Sequence, residues 1–316
     1  MAPPEVTLQS IQAARERIAG RVRRTPVLES ETLNTLAGGR LYFKCENFQE
    51  GGAFKARGAA NALFSLSQEA LRAGVVTHSS GNHGAAVARA ARLRGVRARI
   101  VMPENSSAAK FEAVRSFGGE VFMCAPTLAA REAMAEQFIR DTGAVFIHPY
   151  DDPRVIAGQG TIALELLEEV PELSWLMVPV GGGGLASGVS TAAKTLRPSI
   201  HMVGVEPAGA DDAYRSFTSG KLTGNAHPET VADGLRGALS MRTFGLIREH
   251  VDEVVTVSET AIVRAMRTLW QHLKIIIEPS SAVPYAAVLE NLVDVRDQRV
   301  GIILTGGNVD LDALPW

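Results

Sequence analysis

The sequence predicts an α/β protein whose parallel sheets are covered by helices, and three observations carry that prediction. Short β-branched runs alternate with longer segments of helical period through most of the chain, the pattern of consecutive βαβ units. With 316 residues the chain can bury a large core, and its length suggests about two domains. Hydrophobic residues make up 46% and charged residues 21%, an ordinary balance for a folded globular protein.

In order along the chain, residues 8–21 carry apolar residues at helical spacing above a basic outer face, a packing helix. LYFKCEN is strand-like. GVVTHSS (74–80) reads as a strand with its turn and 82–93 as the helix that follows. Strand-like ARIVMPE (98–104) precedes a helical stretch over 107–117, and EVFMCA (120–125) precedes a helix running through 131–140. AVFIHPY (144–150) is a further strand, 156–169 a helix, WLMVPV (175–180) a strand and 185–196 a helix. HMVGVE (201–206) and RVGIILTGG (299–307) supply later strands. Polar, turn-like stretches near 66–68 and 148–151 place the boundaries. They give a small α/β unit, 69–148, inserted into a larger one made of 1–68 and 149–316.

The formal net charge of −2 gives no global field to draw in nucleic acid or an anionic membrane, so neither is an expected partner. The two cysteines, Cys45 and Cys124, lie in apolar strand-like stretches and make neither a disulfide framework nor a metal cluster. The opening MAPPEVTLQS lacks a basic segment followed by an apolar one, and no apolar run reaches the ~18 residues of a membrane helix. A cytoplasmic protein is expected.

Ligands in open α/β folds sit beyond the carboxyl ends of strands, so the loops there hold the candidate chemistry. In ENFQEGGAFKARGAANAL, Lys55 stands among small and apolar neighbours, where desolvation favours a free amine able to condense with an aldehyde. SSGNHG (79–84) joins a strand to a helix and offers Ser79, Ser80, Asn82 and His83 to an anion such as a carboxylate. VPVGGGGLASG (178–188) sets four consecutive glycines between strand and helix, which lets backbone N–H groups close on a phosphate. ILTGGNVD (303–310) places Thr305 at a strand end, with Gly306 and Gly307 beside it.

The glycine loop by itself admits two cofactors. Gly181, Gly183 and Ala186 fit the dinucleotide fingerprint, and Glu206 falls where such folds keep a ribose-binding acid. An NAD-dependent oxidoreductase would follow from that segment alone. That fingerprint normally opens its domain, however, and here more than half the chain precedes it. It also leaves Lys55 and SSGNHG without a function.

GAFKARGA, SSGNHG, GGGGL and TGGN, in that order, resemble the fold-type II pyridoxal-phosphate (PLP) enzymes of the tryptophan synthase β-like fold, and among these the serine/threonine dehydratases and serine racemases. The likeness extends through HPYDDPRVIAGQGT (148–161), EPAGADDAYRSF (206–217), ADGL (232–235) and IIIEPSSA (275–282). It implies two open parallel-sheet domains with the cofactor between them and Lys55 as Schiff-base lysine and Cα base. It puts Phe54 against the cofactor ring, Asn82 on its phenolic oxygen, Thr305 at its ring nitrogen, and Gly181, Gly182, Gly183, Gly184 and Leu185 around its phosphate. Ser79, Ser80, Asn82 and His83 would surround the substrate carboxylate, with Ser80 the base on the opposite face. The resemblance also implies a divalent cation (Mg²⁺, or Ca²⁺ or Mn²⁺) on Glu206, the Ala210 carbonyl and Asp212, and a homodimer.

The implied reaction is dehydration and deamination of serine, threonine or 3-hydroxyaspartate to a 2-oxo acid and ammonia, with racemase side-activity. A β-replacement synthase of the same fold is the alternative within the family. Ala53, Ala85 and the EGG segment depart from the family's common serine, glutamine and KTG, which bears on the substrate rather than the reaction class. KCENFQE with the GNVDLDALPW ending resembles bacterial 3-hydroxyaspartate dehydratases, whose second substrate carboxylate needs a cation; Arg131 is the candidate. The chain ends at Trp316, soon after the last motif, so the catabolic type without end-product control is expected.

Overall fold

A computed structural model describes residues 5–79 and 81–316. In chain order the first part comprises α1 (Leu8–Ile18), β1 (Val27–Leu28), α2 (Glu31–Ala37), β2 (Arg40–Cys45) and α3 (Lys55–Ser65). Next come β3 (Val75–His78), α4 (Asn82–Arg94), β4 (Ala98–Pro103), α5 (Ala108–Ser116), β5 (Glu120–Cys124), α6 (Leu128–Thr142) and β6 (Val145–Phe146). The chain continues with α7 (Pro153–Glu169), β7 (Trp175–Pro179), α8 (Gly184–Leu196), β8 (His201–Pro207), α9 (Asp212–Ser219) and α10 (Met241–His250). It closes with β9 (Glu253–Val257), α11 (Glu259–Leu273), α12 (Pro279–Leu289) and β10 (Arg299–Leu304).

The strands form two sheets. One has six strands in the order β1-β2-β10-β7-β8-β9, the other four in the order β5-β4-β3-β6. Every pairing is parallel except β1 on β2, where Val27 faces Lys44. That antiparallel edge departs from the expected all-parallel sheet: two residues suffice to cap β2, and Pro26 contributes its carbonyl to Cys45 N at 3.0 Å. The inner strands β2, β3, β4, β7, β8 and β10 are buried on both faces, which is why they read as continuous apolar runs. Helices α7 and α8 are themselves buried over most of their length.

Two helix ends differ from the periodicity. α1 stops at Ile18, because Gly20 takes the left-handed conformation at φ 72° and turns the chain. α7 begins at Pro153, where Asp152 accepts from Arg154 N at 2.9 Å and proline occupies the first turn. Both cysteines are buried and unpaired, as expected. Among the described residues, no helix is long and apolar enough to cross a membrane.

The loops after β3, β7 and β10, and the segment from β2 to α3, all leave carboxyl ends of parallel strands. This brings the four sequence motifs to one region.

Candidate active site

Lys55 opens α3 directly after Phe54, whose N–H donates to Thr305 O at 2.9 Å. Ala53 forms an antiparallel bridge with Gly306, so the lysine segment and the TGGN loop are stitched together by backbone. The Lys55 amine donates to Pro149 O at 2.8 Å, and its Nζ stands 5.1 Å from the centre of the Phe54 ring. Burial lowers its pKa to about 8, with Glu278 pulling modestly the other way. Such a lysine holds a far larger fraction of free amine near neutral pH than an ordinary one.

Pro149 is presented by a loop that His148 organises. His148 Nδ1 accepts from Tyr150 N at 3.2 Å and Asp151 N at 2.8 Å, so the proton of the neutral ring sits on Nε2. Burial holds that ring neutral, its pKa lowered to about 4. The same turn lays the Tyr150 ring against the glycine loop, where a Cβ added at Gly182 would stand 2.4 Å from Tyr150 Cδ1. Gly183 caps α8 at φ 82°, and a Cβ there would meet Leu239 Cδ2 at 2.7 Å. Gly181 and Gly184 are crowded in the same way by Leu235 and Tyr150. Only glycine fits this strand-to-helix turn, and Leu185 anchors it in the core beneath. The first-turn N–H groups of α8 have no intrahelical acceptors and face the cradle, a match to a phosphate.

Thr305 is buried, with Oγ1 3.0 Å from Ser281 Oγ; Ser281 also accepts from Gly306 N at 2.8 Å. Asn82 opens α4. Its amide donates to both Glu278 carboxylate oxygens at 3.0 and 3.1 Å and accepts from Asn308 Nδ2 at 2.8 Å. The side chain expected on the cofactor's phenolic oxygen is thus oriented by two residues to which the sequence alone assigns no role. Burial raises the Glu278 carboxyl to about 7 against the pull of the Asn82 amide. Ser79 Oγ accepts from Gly81 N at 3.2 Å, turning the SSGNHG loop into α4. His83 is buried and shares 3.2 Å with Ile147 O; burial, then the Lys55 charge, holds its pKa well below the ordinary value. Ser80 lies outside the described residues.

Arg131 sits in the first turn of α6, with Nε donating to Thr127 O at 3.4 Å, and among the described residues it makes no ion pair. His78 lies within reach of its charge, a secondary cause, after burial and His148, of the His78 pKa being lowered to about 4. His78 in turn packs edge-on against His148 at 5.9 Å, and His148 against Tyr150 at 4.6 Å.

The expected metal residues form a separate buried pocket. Glu206 at the end of β8 accepts from Ala213 N at 3.1 Å and Tyr214 N at 2.8 Å, while Asp212 Oδ2 accepts from Leu239 N at 2.9 Å. Asp212 Oδ1 is buried with no partner among the described residues. Burial, then the neighbouring Asp212, pushes Glu206 up to about 9, and burial pushes Asp212 up to about 6. No group of three or more His, Cys, Asp or Glu side chains among the described residues could hold a metal ion. Two carboxylates with the buried Ala210 would be the donors, and the orphaned Asp212 oxygen fits an oxygen-ligated divalent cation completed by water. Buried and bonded to two backbone amides, Glu206 is not free to hold a ribose.

Comparisons with known proteins place the chain in a family and a fold. The family model described as "Pyridoxal-phosphate dependent enzyme" matches residues 18–306. The chain is 49% identical over 310 residues to the β-hydroxyaspartate dehydratase of Paracoccus denitrificans (strain Pd 1222), covering 98% of each. Among solved structures, maize serine racemase superposes with a TM-score of 0.95 at 46% identity, covering 97% of this chain and 95% of that one. The serine racemase of Dictyostelium discoideum superposes with a TM-score of 0.91 at 48% identity, covering 97% of this chain and 99% of that one. A threonine deaminase from T.th. also gives a TM-score of 0.91, at 44% identity, covering 96% of this chain and 99% of that one.

Proposed function

Since the chain belongs to the fold-type II pyridoxal-phosphate-dependent enzymes, in the serine racemase and threonine dehydratase family, we propose that it is an ammonia-lyase acting on a β-hydroxy-α-amino acid. The NAD-dependent reading of the glycine loop is set aside with that membership. The observation that carries the proposal is the desolvated Lys55 amine, bonded to Pro149 O in the same turn whose Tyr150 ring lies against the glycine loop.

The bound cofactor supplies the electron sink that lets a Cα proton and a β-hydroxyl depart. In this reading Lys55 holds the cofactor and moves the Cα proton, its lowered pKa matching the task. Gly181 to Leu185 hold the phosphate, Phe54 packs on the ring, and Thr305 presents a hydroxyl to the ring nitrogen. A hydroxyl there does not hold that nitrogen protonated, which favours β-elimination over transamination. Ser79, Asn82, His83 and the α4 N-terminus receive the substrate carboxylate, and Ser80 serves the opposite face and any racemase side-activity. The product enamine hydrolyses to a 2-oxo acid and ammonia. The same reading takes 69–148 as a smaller unit inserted between 1–68 and 149–316.

Among serine, threonine and 3-hydroxyaspartate, we favour 3-hydroxyaspartate. Arg131 supports it, because an arginine without an ion pair beside the site is suited to a second carboxylate. In a panel of L-serine, L-threonine and the 3-hydroxyaspartate stereoisomers, 2-oxo acid release is expected to be highest with a hydroxyaspartate. Arg131→Ala should then lower kcat/KM for that substrate about 10–100-fold, the worth of a charged hydrogen bond, and spare serine. Equal losses on both substrates would reduce Arg131 to a structural residue.

Glu206, the Ala210 carbonyl and Asp212 would hold Mg²⁺, Ca²⁺ or Mn²⁺, which neutralises two buried carboxylates. Added at ~100 times its Kd, the cation should stabilise the fold by about 2.7 kcal/mol, a rise of several degrees in Tm. Asp212→Ala should abolish that increment. A Tm indifferent to both chelator and cation would remove the site.

A further inference from the structure

The segment IAGQGT of α7 lies outside the loops that form the site, yet its glycines mark two close helix crossings. A Cβ on Gly158 would stand 2.6 Å from Gly58 Cα and 2.7 Å from Arg57 O, both on α3. A Cβ on Gly160 would stand 2.7 Å from Gly188 O on α8, and one on Gly188 would stand 2.3 Å from Ile156 O on α7. α7 therefore touches α3 and α8 backbone to backbone. At 3.6 residues per turn, two positions in sequence rotate about 200°, so Gly158 and Gly160 face opposite ways. α7 is wedged between the other two helices, one glycine against each.

The two flanking helices begin at the chemistry. Lys55 is the first residue of α3 and Gly184 the first of α8. The chain entering α7 touches both starts: Pro149 O accepts the Lys55 amine, and the Tyr150 ring lies against Gly182 and Gly184. The α3 crossing is also locked in rotation. Gln159 Oε1 accepts from Gly58 N at 3.1 Å, Asn61 Nδ2 donates to Arg154 O at 2.7 Å, and Arg57 reaches Thr161 Oγ1 at 3.2 Å.

We propose that Gly158 and Gly160 are positioning residues that set the spacing between the Lys55 amine and the phosphate cradle. Ordinary side chains hold packed helices about 8–10 Å apart, and a glycine crossing permits a closer approach. A cofactor anchored by its phosphate can carry its aldehyde only within the short reach of its phosphate arm, so the amine must be delivered into that reach. The inference rests on Lys55 being the cofactor-bonding lysine.

The test separates phosphate anchoring from covalent attachment. Pyridoxine 5′-phosphate carries the phosphate and the ring but no aldehyde, and its affinity reads non-covalent anchoring without the amine. The rate at which pyridoxal phosphate becomes borohydride-fixable, with the labelled lysine located by peptide mass, reads the delivery of the amine. Gly158→Ala and Gly160→Ala are expected to bind pyridoxine phosphate within about threefold of the parent while attachment slows about 10–100-fold, the scale for ångström misplacement. Leu166→Ala, a cavity in the same helix, should lower Tm and leave the ratio of the two readings unchanged. Should Gly158→Ala fail to fold, Gly58→Ala probes the same crossing from α3, where its Cβ meets side chains of α7, Gln159 Nε2 at 2.4 Å and Val155 Cγ1 at 2.8 Å, rather than backbone. Glycine variants that lose Tm as Leu166→Ala does, with the ratio unchanged, would overturn the proposal. Label on a lysine other than Lys55 in the parent protein would instead sink the reading on which it rests.

Discussion

Lys55→Ala is expected to reduce 2-oxo acid release by about 10⁴-fold or more, since one side chain serves as both cofactor tether and proton carrier. The variant should still bind pyridoxine phosphate, because the glycine cradle stands on α8 and does not depend on the amine. It should also leave no borohydride-fixed cofactor. The pH dependence follows from the pKa lowered to about 8 in the cofactor-free protein. Above that value the amine is free and attachment runs at its plateau; below it, attachment should slow about tenfold per pH unit as the amine protonates. A lysine at its ordinary pKa would show that decline about two units higher. Normal elimination by Lys55→Ala would refute the central assignment.

Arg57→Met is expected to produce the largest loss of stability. Arg57 is wholly buried two residues after the lysine, with Nε 2.8 Å from Glu46 and Nη1 2.6 Å from Glu165. Lys44, also buried, reaches Glu165 at 2.7 Å and Thr25 O at 2.6 Å. Burial opposes the charge on Arg57, yet Glu46 and Glu165 outweigh it and raise its pKa; Glu165, in turn, is held below its ordinary pKa by Arg57 and Lys44 despite its own burial. Removing the guanidinium leaves Glu46 buried without a cation and Glu165 with Lys44 alone, which costs about 3–5 kcal/mol. Melting should fall by roughly 5–10 °C. Arg57→Lys should recover little, because a point charge cannot replace a fork that bonds both carboxylates. A loss below about 1 kcal/mol would show that the group gains nothing from its partners.

The legible part of the site is the part in which chemistry and backbone conformation coincide in one short segment. Lys55, SSGNHG and the glycine run each announce themselves, because an amine among small residues or four glycines in a row has few other uses. Tyr150, Ser281 and Asn308 give no such signal. Tyr150 reads as the end of the strand AVFIHPY, whereas the strand is Val145–Phe146 and the ring closes one side of Gly182. Glu278 has no role in the sequence reading beyond its place in IIIEPSSA, and only burial and Asn82 identify it as the group that orients the site's amide. Arg57 and Glu165 read as ordinary helix charges, since period alone does not say which helices are buried on every side. The sequence reading leaves the later helices α9 to α12 unassigned, and in it IAGQGT carries a resemblance without a reason.

By itself, then, the sequence determined the alternation of strands and helices from β3 to β8, the fold class, and the four loops with their chemical types. Those properties are local: hydrophobic period, glycine content and capping act within a few residues of one another. Tertiary structure decided how far apart the pieces stand and which groups lose their water. It chose the antiparallel edge at β1, the desolvation that brings Lys55 to about 8, and the two glycine crossings that wedge α7 between amine and phosphate cradle. Distance and desolvation arise from residues about 100 positions apart in sequence, such as Lys55 and Pro149 or Gly58 and Gly158, and only packing brings such pairs together.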